Sequence, residues 1–214
     1  LAYDTDTLDH FDSVLKKDIP VIFSDRVEEH MKCTSVVLDN IRAGYDATLH
    51  LLNQGCSRIV YIGGNLNRNV YNDRLKGYRM ALDEKGVAFN QELIIINNLS
   101  EQAGIEAAHQ IMKMKTLPDG VFAANDTSAV ACIREFKHAG IKVPDQIAVV
   151  GFNNDPISRV IEPNLTTVHY PGYEMGEIAA TTIINTLQKL PAGNLNTLVL
   201  RHNLIVRESS LRKK

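Results

Sequence analysis

The chain has 214 residues, 44% hydrophobic and 22% charged, with a formal net charge of −2. That length supports one good core or two small ones. It contains no apolar run long enough to span a bilayer and no basic excess of the kind a nucleic-acid-gripping surface needs.

In chain order, the opening Leu1-Ala2-Tyr3-Asp4 carries neither an initiator Met nor a signal peptide. Residues 7–17 already pattern as a helix, with Leu8, Phe11, Val14 and Leu15 on one face, so the opening reads as the middle of a domain. Strands are expected at 19–24, 35–38, 58–62, 92–96, 120–124, 147–152 and 203–206. Most are continuous apolar runs, as in sheets covered by helices on both faces. Helices are expected at 40–54, 72–86, 101–115, 126–139 and 174–189. Asn40, Asp73, Ser100 and Asp126 stand as N-caps, and Gly55, Gly86 and Gly140 close three of the helices. Alternating strands and helices imply an α/β fold with parallel, doubly wound sheets. The basic Arg212-Lys213-Lys214 reads as a frayed tail. Cys33, Cys56 and Cys132 lack any Cys-x-x-Cys spacing and read as buried or idle thiols in a reducing compartment.

Two consecutive apolar strands end in polar residues. Val121 to Ala124 runs into Asn125-Asp126, and Ile147 to Val150 runs through Gly151-Phe152 into Asn153-Asn154-Asp155. Parallel neighbours would deliver these side chains to one carboxyl edge, where open α/β sheets bind ligands. Asp126 reads as a helix cap. Asn125 and Asn153 read as ligand contacts, because amides both donate and accept and so suit a ligand with several hydroxyls. Arg68 and Arg74 follow the strand ending Gly63-Gly64. Their five-donor forks suit carboxylates, phosphates or vicinal hydroxyls; Arg74 is the better placed, and a solvated helix-start arginine is the default for Arg68. Asp25-Arg26, closing IPVIFS, is either a surface ion pair or a ligand contact. No G-x-S-x-G, Walker A or H-E-x-x-H motif occurs, and no histidine has metal-ligand spacing. No catalytic residue, metal or cofactor is therefore expected.

Several motifs run in order: IPVIFSDR (19–26), VVLDN (36–40), HLLNQGCSRIVYIGG (50–64), DRLKGYRMAL (73–82), LPDGVFAAND (117–126), GIKVPDQIAVVGFNN (140–154), PNLTTV (163–168), MGEIAA (175–180) and LIVRES (204–209). Together they resemble the effector-binding core of the lactose/galactose repressor (LacI/GalR) family over residues 19–209. The resemblance implies two doubly wound lobes of periplasmic-binding-protein type, at 1–38 with 169–200 and at 39–168 with 201–209, followed by a tail at 210–214. The first lobe would be incomplete at its N-terminus. It places ligand contacts at Asp25, Arg68, Arg74, Leu99, Asn125 and Asn153, and a homodimer interface at Val130, Ile133, Ile157 and Ile161. Two positions depart from the family pattern: Asn153 stands where an Asp is common, and Leu99 where an aromatic is common. The resemblance implies a cytoplasmic, non-enzymatic sensor of a sugar or sugar derivative. Operator DNA would be bound only through an N-terminal helix-turn-helix not present in this sequence. The alternative is a periplasmic sugar-binding protein of a transporter.

Overall fold

The computed structural model describes residues 11, 13, 14, 16, 17, 19–27, 33–188 and 197–212. The chain divides into two compact units: residues 1–39, 68–70 and 171–201, and residues 40–67, 71–170 and 202–214.

In the first unit, β1 (Ile22–Ser24), β2 (Thr34–Leu38) and β8 (Thr197–Leu200) form a parallel sheet in the order β1-β2-β8. Helix α5 (Gly172–Leu187) packs on β1 and β2. The helix expected at 7–17 falls largely outside the described residues.

The second unit contains α1 (Asn40–Asn53), β3 (Ile59–Gly63), α2 (Asn69–Glu84), β4 (Ile94–Ile96), α3 (Glu101–Met112), β5 (Gly120–Ala123), α4 (Asp126–His138), β6 (Ala148–Asn153), β7 (Thr166–His169) and β9 (Asn203–Ile205). Only the first two residues of α2, with Arg68, group with the first unit. The sheet order is β4-β3-β5-β6-β7-β9, parallel throughout except for the antiparallel β7–β9 pair. β3 and β5 are buried at every position, as continuous apolar runs demand. The core centres on Tyr61, Tyr78, Phe122, Phe136, Phe152, Leu51 and Ile111. The two fully buried phenols are satisfied, Tyr61 Oη donating to Tyr71 O (3.0 Å) and Tyr78 Oη to Ile59 O (2.8 Å).

The structure alters several sequence expectations. Residues 91–93 form a 3-10 turn capped by Asn90, which shortens the expected strand to 94–96. The helix expected from residue 72 begins at Asn69, so Asp73 lies inside it and pairs with Lys76 at 2.8 Å instead of capping. Helix α4 is capped by Asn125, whose Oδ1 accepts from Ser128 N at 2.9 Å, while Asp126 is its first residue. Strand β7 lies outside the expected strands, because two threonines, Thr166 and Thr167, beside a single valine make no apolar run. Both are fully buried, and their hydroxyls donate to Arg207 O (2.9 Å), just after β9, and to Asp126 Oδ1 (2.6 Å), at the start of α4. Cys56 and Cys132 are buried free thiols, and burial pushes each up to about 12.

Candidate ligand-binding edge

In the second unit, β3 lies between β4 and β5, so the strand order reverses there. Open α/β sheets take ligands outside the carboxyl ends of the strands at such a switch point. Four residues singled out from the sequence gather at this edge: Leu99 after β4, Arg74 in α2 after β3, Asn125 after β5, and Asn153 ending β6.

Arg74 is 4% exposed. Its Nε donates to Asn40 Oδ1 (2.8 Å) and its Nη1 to Ala124 O (2.8 Å). Its guanidinium lies 3.4 Å from the centroid of the Phe152 ring. The fork is thereby held in one plane among the ends of α1, β5 and β6. Asn40 and Phe152 were missed as members of this cluster. By sequence Asn40 is a cap and Phe152 the end of a strand, and no spacing links either to Arg74.

Asn125 is tied at both ends. Besides capping α4, its Nδ2 donates to Leu99 O at 2.9 Å. One N–H and one acceptor direction of the amide remain. Leu99 N in turn donates to Asn97 Oδ1 (2.8 Å), so the turn after β4 is fixed by two side chains.

Among the described residues, four non-glycines have positive φ: Asp25 (65°), Leu99 (59°), Asn153 (115°) and Asn154 (59°). Three of them are sequence-predicted ligand contacts. Such backbone costs about 1–3 kcal/mol per residue and persists where surrounding bonds over-determine it, commonly at binding sites.

Asp25 and Arg68 belong to the first unit and are half-buried there. Asn69 Nδ2 donates to Asp25 O, and Val27 N donates to Asn69 Oδ1, each at 3.2 Å. One carboxylate oxygen of Asp25, Oδ1, is buried without a hydrogen-bond partner, an arrangement that a ligand hydroxyl would complete.

Asp126, a helix cap by residue type, is instead a hub of hydrogen bonds. It is fully buried; its Oδ1 accepts from Thr167 Oγ1 (2.6 Å) and its Oδ2 from Asp155 N (2.7 Å). Burial raises its carboxyl to about 7 despite these donors.

The expected interface residues divide. Ile133 is fully buried in the core and offers no atoms to a partner, so that expectation is corrected. Its spacing from Val130 placed both on one helix side, but α4 packs against both α3 and β6 and buries most of its circumference. Val130 and Ile161 are half-buried, Ile157 is 43% exposed and the adjoining Val160 is 75% exposed. Among the described residues no group of three or more His, Cys, Asp or Glu side chains could hold a metal ion. No described helix is long and apolar enough to cross a membrane.

Residues 48–210 match the periplasmic binding protein-like domain family. The chain is 31% identical over 195 residues to the HTH-type transcriptional regulator RegA of Clostridium saccharobutylicum, covering 91% of this chain and 58% of that protein. It is 33% identical over 174 residues to the HTH-type transcriptional repressor PurR of Photobacterium profundum, covering 81% and 52%. A LacI family transcriptional regulator from Enterococcus faecium, solved with bound ribose, superposes with a TM-score of 0.86 at 26% identity, covering 97% of this chain and 77% of that one. The chain thus spans little more than half the length of these two sequence relatives. The matched family, the sheet order and the relatives agree: this chain belongs to the periplasmic binding protein-like domain family, in the form carried by LacI-family transcriptional regulators.

Proposed function

We propose that this chain is the effector-sensing and dimerisation core of a cytoplasmic, DNA-binding transcriptional regulator, and that its effector is a sugar or sugar derivative. The gathering of Arg74, Leu99, Asn125 and Asn153 at the switch point, on backbone strained at Leu99 and Asn153, carries this reading. Arg74 presents a fixed cationic fork to vicinal hydroxyls, and the two amides donate and accept beside it. Asp25, with its unpartnered carboxylate oxygen, and Arg68 are the proposed contacts from the first unit. The relatives' names favour a regulator over a transporter's binding protein, and the ribose in the Enterococcus faecium structure supports the sugar class. Ile157, Val160 and Ile161 with Val130 form the proposed homodimer face. DNA contact would come from a helix-turn-helix segment outside this sequence.

Thermal-shift and calorimetric titrations of the chain with D-ribose, other pentoses and hexoses, and their phosphates test the reading. One sugar class is expected to raise the melting temperature, with about 2.7 kcal/mol of stabilisation at a hundredfold excess over Kd. Asn125→Asp and Asn153→Ala are expected to weaken that binding at least tenfold. A panel in which no sugar or sugar phosphate binds overturns it. For the longer gene product, a bound sugar must change operator affinity in a gel shift, and DNA must change sugar affinity by the same factor.

A further inference from the structure

The loop that carries Asn153 is built around a single carboxylate. Asp126 Oδ2 accepts the Asp155 N–H at 2.7 Å, and the Phe152 backbone adds a further donor. Oδ1 accepts the Thr167 hydroxyl at 2.6 Å, and Thr167 Oγ1 accepts the Asn154 N–H at 3.2 Å. Asn153 and Asn154, between these anchors, both have positive φ. The loop therefore wraps the carboxylate, with its backbone donors pointing inward.

We infer that Asp126 is a positioning residue whose ionisation state sets the conformation of the Asn153–Asp155 loop, and through Asn153 the ligand affinity; the second clause rests on the ligand-binding reading above. Four other ionisable side chains bear on the cluster. Asp155, following β6, adds like charge, which favours a protonated Asp126, as does burial. Arg207, following β9, adds opposite charge and donates to Asn154 Oδ1 at 2.8 Å, with Arg159 of the 156–159 turn acting on Arg207. His169, on β7, meets Asn154 Nδ2 at 3.3 Å. Burial outweighs the hydrogen bonds, and the Asp126 carboxyl is raised to about 7.

Protonation changes the loop's anchors in a defined way. The proton comes from solvent, and the new O–H has Thr167 Oγ1 as its nearest acceptor. Thr167 then turns its own hydrogen toward Val168 O, 3.4 Å away. The Asp155 N–H keeps its acceptor but loses charge assistance, which makes such a bond roughly half as strong. The loop is tightest when Asp126 is ionised.

Amide resonances of the isotopically labelled 214-residue chain, followed from pH 5 to pH 9, test this without any ligand. The Asn154 and Asp155 amides are expected to shift with a midpoint near the Asp126 value of about 7. Asp126→Asn mimics the protonated form, so its amides at pH 8 should match those of the wild type at pH 5 and should not titrate. Thr167→Val keeps the carboxylate but removes a donor to it, and should raise the midpoint by about one pH unit; this variant serves if Asp126→Asn does not fold. His169→Gln should leave the midpoint in place. Amides that stay still across the range, or a midpoint that moves with His169→Gln and not with Thr167→Val, overturn the inference. Asn153→Ala in the sugar titrations is read separately. If it binds normally, the ligand role of Asn153 fails while the amide titration stands.

Discussion

The most consequential single residue is Asp126. Its carboxyl is raised above the ordinary aspartate value, so the native state holds a proton that the unfolded chain has released. Stability therefore falls as pH rises from about 4 to about 7, and the penalty is fully present above that window. Denaturation of wild type and Asp126→Asn at pH 5 and pH 8 should show this: the difference between them should shift by on the order of 3 kcal/mol, in favour of the variant at pH 8. Gly151 belongs to the same arrangement, since a Cβ there would overlap Asp126 Oδ1 and crowd Leu165. Gly151→Ala should cost about 1–3 kcal/mol by chemical denaturation. Asn153→Gly tests the strain directly. It removes the cost of a positive φ and should raise stability by up to about 1 kcal/mol, while sugar binding weakens. The sequence marks Asn125 and Asp126 as one polar strand end and gives the cap to Asp126, whereas the structure gives it to Asn125. Either residue caps a helix equally well by type, and only the positions of Ser128 N, Thr167 and Asp155 decide which side chain does so.

Among the elements, the crossing of α1 and α2 is made by glycines. A Cβ on Gly77 would overlap Ile41 O and the backbone of Tyr45, and one on Gly44 would overlap Arg74 O. The two helix backbones therefore touch, which brings Asn40 at the start of α1 within 2.8 Å of Arg74 Nε. Gly77→Ala should cost about 1–3 kcal/mol and weaken sugar binding too, as Asn40 is pushed off the guanidinium. Paired denaturation and calorimetry would read both effects. The start of α4 allows a sharper separation. Asn125→Ala removes the cap, at about 1 kcal/mol, whereas Asn125→Asp keeps a capping oxygen but loses the donor to Leu99 O. The aspartate variant should be the more stable of the two and yet bind sugar no better.

For the molecule as a whole, the C-terminal segment knits the second unit together. Arg207 donates to Leu165 O (2.7 Å) and Asn154 Oδ1 (2.8 Å), Ser209 Oγ to Val149 O (2.6 Å), and Arg212 Nη2 to Asp119 O (2.6 Å). Ser210 Oγ lies 2.7 Å from His50 Nε2. A chain truncated after Val206 leaves several of these buried groups unpaired, at about 1–3 kcal/mol each. It should melt well below the full chain in a circular-dichroism scan, with a broader transition. Legible in the residues alone are the buried runs of β3, β5 and β6, the helices between them and a carboxyl edge bearing Arg74, Asn125 and Asn153. Apolar continuity, helical spacing and terminal glycines are local signals that survive without a fold. The residues alone do not show β7, the partners of Arg74 or the loop around Asp126. Those depend on exchanging water for a partner distant in the chain: Thr166 and Thr167 are core residues only because Arg207 and Asp126 meet their hydroxyls. Contacts between residues far apart in the chain settle which polar side chains hold the edge in shape and so which remain to face a ligand.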